Sequence, residues 1–132
     1  MGVPKIQTTL YANAVFSVTS AALFLLFPGF LAENLINLPS IVFLVLGIGL
    51  LLFALDVYLT ARKDSPSRGK VLYIFGADVA WVVGTPVALV LLADQITGLG
   101  TMVFIDIAII VGIFATLEWL GLAKLAQEAG HA

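Results

Sequence analysis

Long apolar runs separated by short polar breaks organise this chain. The first extends from about Ile6 to Phe27 and stops at Pro28-Gly29. The second runs from Ser40 to Ala61, the third from Val71 to Ala93 and the fourth from Leu99 to Ala123. Each holds on the order of 20 residues, and at about 1.5 Å per residue such a helix covers a hydrocarbon core of about 30 Å. The pattern predicts an all-α fold, a four-helix transmembrane bundle of two antiparallel hairpins forming a single domain over 1–132. Between the first two runs, Phe30 to Leu38 alternates apolar and polar residues at roughly helical spacing, which predicts a short interfacial helix. The stretch Arg62 to Lys70 reads as a polar turn, with Pro66 and Gly69 as helix breakers. The first run is read as a span rather than a leader, because Phe30 occupies the −3 position of its Ala-ended cleavage candidate, Phe30-Leu31-Ala32.

Composition agrees with the pattern: 61% of residues are hydrophobic and 11% charged, against about 25% charged in soluble domains. There is no cysteine to supply a thiolate, and the single histidine, His131, lies outside the runs. A haem or a histidine-bound metal inside the bundle is therefore not expected, and no cofactor or metal site is assigned. No basic patch interleaved with aromatics marks a nucleic-acid surface, so the partners expected are membrane lipids. All six Lys and Arg residues fall on one side of the bundle: Lys5, Arg62, Lys63, Arg68, Lys70 and Lys124. Basic loops stay in the cytoplasm, so both termini and the middle loop are expected there.

Five polar positions interrupt the runs, and they carry the candidate chemistry: Asn13, Asp56, Asp78, Asp106 and Glu118. An acid at the centre of a membrane helix costs about 2.5–3.5 kcal/mol on insertion scales and usually faces a bundle interior or a cavity. Asn13 and Asp78 each lie eight residues after a lysine (Lys5, Lys70), and Asp56 and Glu118 each lie six before a base (Arg62, Lys124). Helical rise converts these spacings to depths of about 12 Å and about 9 Å, one layer in the cytoplasmic half. Asp78 shares a face with Trp81, Thr85 and Ala88; Asn13 with Ser17 and Ser20; Asp56 with Gly49, Leu52 and Leu59. The reading is a proton-, cation- or ligand-binding site of Asn13, Asp56, Asp78, Trp81 and Glu118, open toward the cytoplasm. The strip Gly76, Ala80, Gly84 is expected to admit another helix closely. Deeper, Asp106 and Thr85 form a second polar station, near the Val82 carbonyl that Pro86 deprives of its amide partner. The plainer alternative pairs Asp56 and Glu118 with Arg62, Lys63 and Lys124, and leaves Asp106 bonded to a threonine or facing a neighbouring subunit.

The two hairpins also read as a faint parallel repeat. Leu55-Asp56 stands six residues ahead of Arg62 as Leu117-Glu118 stands ahead of Lys124, and Ala12-Asn13-Ala14-Val15-Phe16 matches Ala77-Asp78-Val79-Ala80-Trp81. The run from Ala77 to Gly84, with its Asp-x-x-Trp, together with Asn13, resembles a pattern in small four-span bacterial membrane proteins. That resemblance covers most of the chain and implies a multi-pass place in a bacterial inner membrane, with no activity attached. Size and span count are also similar to the small multidrug resistance transporters, but their first-span glutamate is Asn13 here. Two function classes follow. One is a small transporter or channel, working as a homo-oligomer, that uses the acidic site. The other is an accessory or structural subunit of a membrane complex, or a lipid- or quinone-binding bundle. An intramembrane enzyme ranks third, because no nucleophile or ligand set accompanies the acids.

Overall fold

The computed structural model describes residues 5–63 and 66–130, with side chains up to 127; the centre of the middle loop and His131 lie outside the described residues. Five helices follow in order: α1 (Ile6–Leu26), α2 (Pro28–Asn34), α3 (Ser40–Ala61), α4 (Arg68–Leu91) and α5 (Gly98–Gly130). The four long ones are each long and apolar enough to cross a membrane. The chain is a multi-pass integral membrane protein with the predicted bundle architecture. Its lipid-facing surface is correspondingly apolar, with Val90 and Leu91 each 76% exposed.

Local sequence explains most boundaries. Pro28 disfavours helical geometry at the preceding residue, so α1 ends at Leu26; as the first residue of α2, Pro28 then loses no hydrogen bond. A short helix is present between the first two spans but shifted, covering Pro28–Asn34 instead of reaching Leu38. Gly69 does not break α4; it lies in its first turn. Helix α4 also runs through Pro86 to Leu91. Helix α5 has 33 residues, about 50 Å of helix, and continues past Ala123 on the side of the basic residues.

Helix α1 packs along α3 and helix α4 along α5, and α1 meets α5 to join the two hairpins. Helices α3 and α4 barely touch. The result is a curved row, α3–α1–α5–α4, with a seam left between its two ends. The seam closes at the lysine end, where Ile6 and Leu10 of α1, Val57 and Ala61 of α3, Val71 and Ile74 of α4 and Leu122 of α5 form one apolar cluster. At the opposite end Phe24, Leu31, Leu35, Ile36 and Phe43 form a second.

The loops at that second end are tied across the bundle. Ile36 and Ile96 form an antiparallel bridge, Asn37 N donates to Gln95 O (2.8 Å) and Thr97 N to Leu35 O (2.9 Å). Gly100 lies so close that any β-carbon there would collide with the Leu35 carbonyl, a backbone group already fixed by Thr97. Gly100→Val is therefore expected to destabilise the protein by about 1–3 kcal/mol, as overpacking does. A thermal melt in detergent reads this, and an unchanged midpoint would show that the bridge can move aside.

Candidate functional site: a buried triad across three helices

Helix α1 supplies the centre of the site. Thr9, Asn13, Ser17 and Ser20 repeat at three- and four-residue spacing and form a polar stripe along one face of α1. Thr9, Asn13 and Ser17 are all buried. Asn13 Nδ2 donates to Asp78 Oδ2 of α4 and to Glu118 Oε2 of α5, both at 2.8 Å. Its Oδ1 accepts from Ser17 Oγ at 3.1 Å. One amide thus spends both its donor hydrogens on two carboxyl groups from two other helices. Burial is near complete: Asn13 is 2% exposed, Asp78 5% and Glu118 0%.

On the lysine side each member is backed by a buried aliphatic about one turn away: Leu10 behind Asn13, Ile74 behind Asp78 and Leu122 behind Glu118. The site therefore does not open toward the lysine end, as the sequence suggested. Its cavity lies on the other side, about 140 Å³ in volume and walled by Asn13, Ser17, Ser20, Asp78 and Trp81 with apolar neighbours such as Phe24 and Leu50. Three buried polar atoms around the triad lack a hydrogen-bond partner: Thr9 Oγ1, Trp81 Nε1 and Glu118 Oε1. Such groups cost free energy unless something meets them, so they are informative about what the site takes.

The remaining predicted residues separate from the triad. Asp56 sits at the rim, where Lys70 Nζ binds its Oδ1 at 2.9 Å with both side chains partly exposed. Its companions on the same helical face, Gly49, Leu52 and Leu59, are all exposed, so that face of α3 turns outward. The base that pairs it is Lys70, across the loop, rather than Arg62 or Lys63 on its own helix. Asp56→Asn is expected to change stability by less than about 1 kcal/mol, as for exposed pairs in general. A melt shifted as strongly as by the Gly100 change would contradict that placement.

Trp81 borders the cavity beside Asp78. Thr85 and Asp106 do not form a second station. Thr85 Oγ1 donates to Trp81 O on its own helix at 2.8 Å, and Asp106 is exposed on α5. The strip Gly76, Ala80, Gly84 brings no helix of this chain close; a β-carbon at Gly76 or Gly84 would meet nothing within 4 Å. Ala80 and Gly84 instead line an apolar crevice of about 510 Å³ between α4 and the start of α3. Thr9 was missed in the sequence, although its four-residue spacing from Asn13 was the available signal.

Fold and site together define a four-span membrane protein with two carboxyl groups gathered on one asparagine in its interior. Compared with known protein families, curated proteins and solved structures, the chain gives no match.

Proposed function

We propose that this protein is a small transporter or channel that takes a proton, or another small cation, at the Asn13–Asp78–Glu118 triad. The observation that carries this reading is the inward convergence of two acids with no basic side chain beside them. The one salt bridge among the described residues is Lys70–Asp56, at the rim. Asn13 is neutral, so the charge that balances the acids must come from outside the chain. A proton suits the geometry better than a metal ion, because Asn13 already occupies one oxygen of each acid. Glu118 Oε1, buried and unpartnered, is the oxygen that would hold it. The hydroxyls of Thr9, Ser17 and Ser20 extend the polar stripe to either side of the triad and supply hydrogen-bonding steps along it. The basic end faces the cytoplasm of a bacterial cell in this reading, following the charge asymmetry.

The test is flux in proteoliposomes that enclose a pH-sensitive dye, under an imposed membrane potential. Protein-dependent acidification or alkalinisation is expected; a rate equal to that of empty vesicles would overturn the proposal. A second role, as a subunit of a larger assembly, is favoured at one place. Asp106 lies eight residues into α5, about 12 Å from its start, and is exposed at that depth. An acid there is costly against lipid, so we propose that it faces a second copy of the chain. Native mass spectrometry is expected to find an oligomer that Asp106→Leu weakens; a monomer in both would exclude it.

A further inference from the structure

The inner cavity and the outer crevice are neighbours with a common wall. They share Phe24, Ala77 and Trp81 as walls, so Trp81 stands at the junction. The crevice lies in the half of the bundle where α3 and α4 part, and it is bounded by Phe43 and Leu46 of α3 and by Ala80, Gly84 and Ala88 of α4. No other helix of this chain covers that seam among the described residues, so the route to it from a membrane is lateral, from the lipid phase. Its walls are almost wholly apolar. At the inner end the chemistry changes: Asp78, Asn13, Ser17 and Ser20 line the smaller cavity, and the Trp81 indole N–H is buried without a partner.

We infer that cavity and crevice together bind one lipid-soluble molecule with a hydroxylated ring for a head and an apolar tail, a phenol- or quinol-type compound that enters between α3 and α4. Size and hydrogen-bond matching both favour such a head. The inner cavity, about 140 Å³, is close to the volume that accommodates a benzene ring in an engineered protein interior. A ring hydroxyl is both donor and acceptor. It donates to the Asp78 carboxyl, whose Oδ2 is held by Asn13, and accepts from Trp81 Nε1, meeting the donor that the protein leaves unpartnered. The crevice, about 510 Å³, takes the tail against small side chains. A headless acyl chain would leave the indole N–H unmatched. The inference rests on the proposed function only in using the same acid, which makes the bound head a neighbour of the proton site.

The chain has two tryptophans, so Trp119→Phe leaves Trp81 as the sole tryptophan, excited selectively at the red edge where tyrosine does not absorb. The experiment reconstitutes this variant in phosphatidylcholine nanodiscs and titrates a bromophenol bearing an alkyl tail, with the headless bromoalkane as control; bromine quenches tryptophan at contact. Saturable quenching by the bromophenol is expected, with only linear quenching by the bromoalkane. Gly84→Phe adds a ring at a residue that lines the crevice, where a β-carbon meets nothing within 4 Å, and is expected to weaken the saturable phase by roughly tenfold or more. Saturation by both probes alike would assign the crevice to an acyl chain and overturn the ring-headed ligand. Linear quenching throughout would overturn binding altogether, and a dimer lost in Gly84→Phe would then give the seam to a second copy. The flux assay is independent: saturable binding without flux leaves this inference standing and removes the transport reading, and flux without binding does the reverse.

Discussion

Asp78→Asn is expected to abolish proton or cation flux through the reconstituted protein, a loss of roughly tenfold or more, with the bundle still folded. The asparagine has nearly the same shape, and its carbonyl oxygen still accepts from Asn13 Nδ2, so the contact between α1 and α4 survives. What it lacks is a charge and a site for a proton. Glu118→Gln is expected to act in the same way from α5, since its Oε2 bond to Asn13 also has a neutral substitute. Asp106→Asn, far from the triad on an exposed face, serves as the control and is expected to keep its flux. Full flux in Asp78→Asn would show that the buried acids are structural.

Asn13→Leu is expected to have the largest effect on stability of any change in the site, a loss of about 2 kcal/mol. Leucine has the same branched heavy-atom skeleton, so it leaves no cavity between α1 and its neighbours. The loss is chemical: two buried carboxyl groups lose their shared donor, and Ser17 loses its acceptor. Hydrogen bonds between membrane helices average only about 0.6 kcal/mol in double-mutant cycles, so the two bonds alone would not reach this figure. The larger share comes from acids left unpaired in the interior. The test is unfolding of the detergent-solubilised protein, with Ser17→Ala as the comparison expected to cost less. Equal midpoints for Asn13→Leu and the native chain would mean that the acids find other donors, and Thr9, one turn away and unpartnered, would be the first to examine.

The spans were legible because membrane helices announce themselves by length and apolarity, and the structure places them within a few residues of the apolar runs. Boundaries differ where hydropathy and helix are different questions. Val71 is where the third apolar run starts, but α4 starts at Arg68 because its first turn can lie in water. Ala123 closes the fourth run, yet α5 continues, since Lys124 and the residues after it are good helix formers in any solvent. That Asn13 and Asp78 stand at one level of the bundle was also readable, by counting from the flanking lysines. Rotation was not. A helix that is apolar nearly all round has no stripe to say which side faces inward, so Asp56 and Glu118, matched in depth, could not be told apart. Only packing shows that one turns to Asn13 and the other to Lys70.

The unbroken run of α5 beyond the basic belt has a practical corollary for imaging. A particle of 14.0 kDa embedded in lipid gives almost no contrast of its own. The last turns of α5 continue a spanning helix without a break, so a helical scaffold spliced there in register would extend it. The resulting fiducial would report the orientation of the helix that carries Glu118, at a distance from the seam between α3 and α4.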